Sequence, residues 1–127
     1  MLQFTEMILG EKWTIDVVPT GQDRRLNDCD GFCDKSSRRI LVDDMTTCDQ
    51  FELDDKISYV SQNIRHEIIH AFMYESGLQQ NWYHQEYGHE ETVVDWIACQ
   101  YPKIKKVIDD AESRYKLGNN SNEIYNI

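Results

Sequence analysis

The sequence predicts an α+β fold, in which a small, mostly antiparallel sheet packs on one helix and two further helices follow. Short runs of β-branched residues, separated by turn residues, lie before about residue 47, and apolar residues recur at helical spacing after about residue 55. The 127 residues are 40% hydrophobic and 28% charged, which is typical of one globular domain. We expect this domain to span residues 1–118 and residues 119–127 to form a loose tail.

Three short segments predict the strands. Residues 13–18 are rich in β-branched side chains, and the turn residues at 19–23 end this strand. Residues 31–34 and 38–42 are two further strands joined by a turn at 35–37, so they form a hairpin that follows a loop at 27–31. We expect the strand at residues 39–42 to border a cleft, where it can pair with an extended peptide.

The first helix is predicted over residues 55–76. Asp54 or Asp55 can cap its start, and Gly77 follows its end. Apolar residues recur on one stripe at spacings of three and four, and these are Ile57, Val60, Ile64, Ile68 and Phe72. Ile69 and Met73 lie on the other side, so we expect the helix to be buried on both sides.

Pro102 divides the last part of the sequence into two predicted helices. The first spans residues 89–100 and stops before Pro102, which disfavours helical backbone at the residue that precedes it. The second spans residues 102–116, with Pro102 in its first turn. Its core-facing residues are expected to be Ile104, Val107, Ile108, Ala111 and Tyr115.

The net charge and the short length of the apolar segments exclude several classes of binding partner. Lys plus Arg number 13 and Asp plus Glu number 23, so the net charge is −10, which disfavours binding to nucleic acid or to anionic lipid. No segment approaches the roughly 18 apolar residues of a membrane span. The first residues do not resemble a secretory signal, so we expect a cytoplasmic protein whose partner is a protein or peptide.

The four cysteines are Cys29, Cys33, Cys48 and Cys99. We expect free thiols, because the cytosol keeps cysteines reduced. A disulfide between Cys29 and Cys33 and a zinc site built from all four cysteines are the alternatives.

Residues 66–70 carry the motif H-E-x-x-H inside the first predicted helix. Residues four apart lie one above the other on a helix, so His66 and His70 can bind one zinc ion. Glu67 points to a neighbouring sector, where it can take a proton from a water that zinc activates. The alternative is that these are two ordinary histidines and a surface glutamate on a core helix.

A catalytic zinc needs a third protein ligand. Glu91 is the first candidate, because Asp95 lies one turn further on and can accept the free ring N–H of a ligating histidine. His89, Glu90 and His84 are the alternatives. The glutamates would also place favourable negative charge at a helix N-terminus.

His66-Glu67-x-x-His70 followed by Glu91-x-x-x-Asp95 resembles the gluzincin pattern. The small size and the strand-rich start are similar to the ImmA/IrrE-like metallopeptidases of prophages and mobile elements. The resemblance covers about a third of the chain and implies a zincin-like fold, with a sheet packed on the zinc helix. It further implies that His66, His70 and Glu91 bind zinc, that Glu67 is the base and that a phage-encoded chain would act in the bacterial cytosol.

Two functions follow as hypotheses. The first is a zinc-dependent metallopeptidase, a hydrolase that cuts a peptide bond in a cytosolic protein with Glu67 as its catalytic residue. The second is a non-catalytic, zinc-bound interaction or inhibitor protein of phage or mobile-element origin, whose acidic surface makes the contact. The substitution Glu67→Gln separates them, because only the first needs the Glu67 carboxylate.

Overall fold

The computed structural model describes residues 1–47, 53–78 and 89–125. Side chains are described in these ranges except at positions 89–92, 94, 95, 98 and 120–125. Within these residues the protein has an α+β fold, as predicted, with a four-stranded mixed sheet and two long helices.

The four strands are β1 (Leu2–Ile8), β2 (Glu11–Val18), β3 (Gly31–Asp34) and β4 (Arg39–Asp43). Their order in the sheet is β1-β2-β4-β3. The β1–β2 and β3–β4 pairs are antiparallel, whereas β2 and β4 run parallel, so the sheet is mixed. The predicted strand at residues 13–18 and the predicted hairpin are both confirmed.

The β1–β2 connection is a two-residue hairpin turn. Ile8 pairs with Glu11, and both Leu9 and Gly10 have positive φ angles, of 50° and 87°. Two consecutive positive φ angles are typical of a type I′ turn, whose twist matches that of the flanking strands. The second of these positions suits glycine because a Cβ disfavours that backbone conformation.

Helix α1 (Lys56–Glu75) covers one face of the sheet. Asp55 is its N-cap and accepts a hydrogen bond from the Ser58 backbone N–H at 3.0 Å, and Gly77 follows its end with a φ of 82°. Both predicted boundaries are therefore confirmed. The predicted apolar stripe is buried as well, except for Ile57 at its start, which is partly buried.

The core lies between this stripe and the alternating inward residues of the sheet. Its fully buried members from the sheet are Ile8, Trp13, Ile15, Ile40 and Val42. Trp13 is the largest of them, and its Nε1 donates a hydrogen bond to Glu75 Oε1 at 2.9 Å. This bond ties the middle of the sheet to the end of α1.

Helix α2 (His89–Tyr125) replaces the two helices that the sequence predicted. The expectation that Pro102 separates two helices is wrong, because Pro102 lies inside one helix. A proline removes one helical hydrogen bond at a cost of about 3 kcal/mol. Here Trp96 before the proline and Ile104, Ala111 and Tyr115 after it pack on the same core, and this burial offsets that cost.

Gly118 lies within α2 and does not end it. A Cβ at Gly118 would lie 2.9 Å from Leu2 Cδ1, so the missing side chain lets α2 approach β1 closely. The helix then continues to Tyr125, through residues that were expected to form a tail. The pattern of glycine and asparagine at 118–122 predicted a helix end, but close packing explains the glycine.

No helix in the described ranges is both long and apolar enough to cross a lipid bilayer.

A buried carboxylate joins β1 to α2. Glu6 is 9% exposed on the helix-facing side of β1, near Asp110 and Arg114 of α2. The Arg114 Nη1 atom lies 3.7 Å from Glu6 Oε1. Burial, followed by the hydrogen bond with Asp110 and the charge of that residue, raises the pKa of Glu6 to about 7, against the opposing effect of Arg114.

This shift predicts that the protein loses stability as the pH rises from about 4.5 to about 7. In that window the unfolded chain has released the Glu6 proton whereas the folded chain retains it, so deprotonation costs the folded state. We expect Glu6→Gln to raise the free energy of unfolding by about 1–3 kcal/mol at pH 8 and by much less at pH 4.5. Urea unfolding at both pH values measures this.

The matched control is Glu112→Gln, which removes a carboxylate from α2 that is paired with Arg65 at the protein surface. It should leave the pH slope between 4.5 and 7 as in the wild type. A Glu6→Gln variant with the wild-type slope would contradict the assignment of this slope to Glu6.

Candidate metal centre

His66 and His70 lie one turn apart on α1, and both side chains are exposed. Their Nε2 atoms are 3.1 Å apart, and the ring centroids are 4.8 Å apart with an angle of 67° between the planes. At this distance the two nitrogens share either one proton or one metal ion, because two N–H groups pointing at each other would repel. The spacing in the motif therefore produces a convergent pair of donors.

The geometry of this pair fits zinc. A zinc–nitrogen bond is about 2.05 Å, and a tetrahedral angle between two such bonds separates the nitrogens by about 3.3 Å. The observed 3.1 Å between the two Nε2 atoms is close to that value. Small rotations of the two exposed rings are enough to adjust the distance.

The surroundings of His70 favour its neutral imidazole, which is the form that binds a metal. The ring of His70 is partly desolvated although the residue is exposed, and this desolvation, followed by the charges of His66 and Lys35, lowers the pKa of His70. A neutral imidazole keeps the lone pair that a metal needs. Lys35 belongs to the turn after β3, and its Nζ lies 5.7 Å from the ring centroid of Tyr74, one turn beyond His70.

Glu67 points away from solvent and into the gap between α1 and β3. Its side chain is only 7% exposed, and a Cβ placed on Gly31 would lie 2.8 Å from Glu67 Oε1. Burial raises the pKa of Glu67, and the charge of His66 opposes this rise. The arrangement is the reverse of ordinary core histidines with a surface glutamate, because here the histidines are exposed and the glutamate is buried.

The prediction that α1 is buried on both sides is wrong for its histidine side. Ile69 is 36% exposed between the two exposed histidines. The stripe with Ile64 and Ile68 packs on the sheet, whereas the two histidines and Ile69 lie on the exposed side of the helix. The histidine face is therefore open to a ligand.

Strand β3 is the sheet edge beside this site, which corrects the expectation for residues 39–42. Strand β4 is paired on both sides, with β2 and with β3, so it has no free edge for a peptide. The outer edge of β3 has no partner strand among the described residues. If an extended peptide pairs with the sheet here, it must add to β3.

The candidates for a third ligand lie outside the described side chains. Glu91, His89, Glu90 and Asp95 are in the first turns of α2, where only the backbone is described, and His84 lies outside the described residues. The described residues by themselves contain no group of three metal-binding side chains. Trp96 Nε1 donates to Ser76 Oγ at 2.7 Å, so the beginning of α2 is anchored at the end of α1.

The described cysteines do not form the alternative metal site. Cys29, Cys33 and Cys99 are free thiols, and Cys48 lies outside the described residues. Cys33 is partly buried on β3, where burial, followed by the charges of Glu67 and Asp34, raises its pKa to about 12 against the effect of Lys35. The Cys33 thiol is therefore protonated at neutral pH and is a poor nucleophile.

Sequence reasoning missed two residues near the motif, Gly31 and Lys35. The sequence places both in the predicted hairpin, as ordinary strand and turn residues. The hairpin itself was correct, but the sequence contains no signal for which end of it contacts the helix. That contact is a tertiary one between β3 and the middle of α1.

Comparison of the chain with family models, curated proteins and solved structures finds no match.

Proposed function

We propose that this protein is a zinc-dependent metallopeptidase that hydrolyses a peptide bond in a cytosolic protein, with a zincin-like arrangement of helix and sheet. One observation carries the proposal. Two imidazole nitrogens 3.1 Å apart converge on the exposed side of α1, and the buried carboxylate of Glu67 on the same helix lies against β3. General-base hydrolysis at a metal needs this combination.

His66 and His70 would hold the zinc ion, with Glu91 at the start of α2 as the third protein ligand. His89, Glu90 and His84 are the alternatives for that third position. Zinc, when bound, supplies Lewis-acid polarisation of the scissile carbonyl and lowers the pKa of water to near 7.

Glu67 would move the proton. Its carboxylate would take a proton from the attacking water as the new C–O bond forms, and would then pass it to the amine nitrogen so that the peptide C–N bond breaks. Burial between α1 and β3 supports this role, because a raised pKa makes the carboxylate a stronger base toward water.

Strand β3 would hold the substrate. Its free edge can accept an extended peptide through backbone hydrogen bonds, and Glu67 lies next to Gly31 at the first residue of the strand. The peptide would thus run past the histidine face of α1. A peptide that pairs with a strand edge is held mostly through its backbone. Any preference for particular substrate side chains would therefore come from the residues that surround the site.

Metal content tests the centre. We expect about one zinc per chain in protein purified without a metal-affinity tag, and a loss of most of it in His70→Ala and in Glu91→Ala. Elemental mass spectrometry measures the ratio of zinc to protein. Glu112→Ala, which alters a carboxylate of α2 bound to Arg65, is the control and should retain its zinc.

The results distinguish a wrong third ligand from the absence of a zinc site. Zinc that is lost in His70→Ala and retained in Glu91→Ala would move the third ligand to His89, Glu90 or His84. A wild-type protein that holds no zinc, even after incubation with the metal, would refute the proposed function.

A further inference from the structure

We propose that Gly31 is a positioning residue, whose missing side chain creates the space in the edge of β3 that holds the Glu67 carboxylate. The inference rests on the proposed role of Glu67 as the base. A Cβ at Gly31 would lie 2.8 Å from Glu67 Oε1, 3.0 Å from its Cγ and 3.2 Å from its Cδ. Three consecutive atoms of the glutamate therefore occupy the volume that a strand side chain normally fills.

The conformation of the backbone does not explain this glycine. Gly10, Gly21 and Gly77 have positive φ angles, and a Cβ on any of them would meet open space. Gly31 is the opposite case, because its φ is not positive and its Cβ position is occupied. An alanine at position 31 would therefore fit the backbone, and the three atoms nearest to its Cβ would all belong to Glu67.

The sheet holds the space at Gly31 in a fixed position. Gly31 is the first residue of β3 and pairs with Val42 of β4, so its Cα is fixed by the sheet rather than by a loop. Val42 is fully buried, which prevents this part of the sheet from moving away from α1. Glu67 is thus held between a helix and a fixed strand, close to the edge where a peptide would add.

The conflict predicts an energetic coupling between the two residues that can be measured without zinc and without substrate. We expect Gly31→Ala to lower the folding equilibrium constant of the metal-free protein about tenfold or more in the wild type. In a Glu67→Ala background, where the space is vacated, we expect an effect below about twofold. Equilibrium urea unfolding of the four proteins completes this double-mutant cycle.

Gly118→Ala is the matched control. Its Cβ would also approach a neighbour closely, at 2.9 Å from Leu2 Cδ1, but that neighbour is on β1 rather than on the site. Its effect on folding should be the same with Glu67 or with Ala at position 67. If Gly31→Ala likewise has equal effects in both backgrounds, the positioning role is overturned. If Gly31→Ala alone does not fold, the double variant must fold, and its failure to do so would also overturn the role.

A second measurement determines the position of the Glu67 carboxylate directly. In crystal structures of the zinc-loaded proteins, Gly31→Ala should displace the Glu67 carboxylate while the two histidine rings and the bound zinc keep their places. On a cleaved peptide, the variant should lower kcat at least about tenfold with KM unchanged, as expected when only the base is moved. An undisplaced carboxylate would overturn the proposal, whereas a wild type without zinc would instead refute the proposed function.

Discussion

Replacing Glu67 with Gln is expected to lower the rate of peptide-bond cleavage at least about 100-fold while zinc stays bound. The amide has nearly the shape of the carboxylate, so it fits the buried space beside Gly31, but it cannot take a proton from water. His66 and His70 are unchanged, so the proposed metal ligands on α1 remain. The loss should therefore appear in turnover and leave metal content as in the wild type.

The rate can be measured as the appearance of new protein N-termini in a bacterial lysate incubated with each zinc-loaded protein. The same amide variant can also retain an uncleaved substrate for identification. Glu112→Gln is the control, since it changes a carboxylate of α2 that is bound by Arg65, and it should cleave at the wild-type rate.

Two results would argue against the enzymatic role. Cleavage that persists unchanged in Glu67→Gln would show that another group is the base. If the zinc-loaded wild type produces no new N-termini, and its biological effect survives in Glu67→Gln, the protein is a non-catalytic zinc-bound interaction protein.

Replacing Trp13 with Ala is expected to lower the free energy of unfolding by about 3–5 kcal/mol. Trp13 is fully buried, its ring packs edge-on against Tyr74 with centroids 6.4 Å apart, and its N–H binds Glu75. Truncation leaves a cavity between the sheet and α1. It also removes one hydrogen bond of Glu75, which accepts another from Arg38 at 2.6 Å.

Urea unfolding followed by circular dichroism measures this loss, since it does not depend on tryptophan fluorescence. Trp13→Phe keeps an aromatic ring and loses the N–H, so we expect a smaller loss of about 1–2 kcal/mol. Tyr101→Ala, at a side chain that is 56% exposed, should change stability by less than about 0.5 kcal/mol. A Trp13→Ala protein within about 1 kcal/mol of the wild type would contradict this account of the core.

Local patterns in the sequence were sufficient for α1 and for the β3–β4 hairpin. The Asp55 cap, the apolar stripe and Gly77 are all local signals, and the helix begins and ends where they predict. The hairpin is equally local, since it depends on two short strands and the turn between them.

Helix α2 shows where local reasoning is insufficient. Pro102 and Gly118 are helix-breaking residues by propensity, yet both lie inside one helix. Burial of apolar residues on both sides of Pro102 and the close approach of Leu2 at Gly118 outweigh these propensities. Such contacts join residues that are distant in the sequence, so no local pattern contains them.

The α+β class and the placement of His66 and His70 on one helix face follow from the sequence, because each depends on patterns that lie within individual segments. The exposure of the histidines, the burial of Glu67 against Gly31 and the position of β3 at one edge of the described sheet depend instead on the tertiary structure. Strand order and helix packing depend on contacts between segments that are distant in the sequence, and no single segment contains them. The residue type determines the functional group of a side chain, whereas the packing of the folded chain determines how exposed that group is.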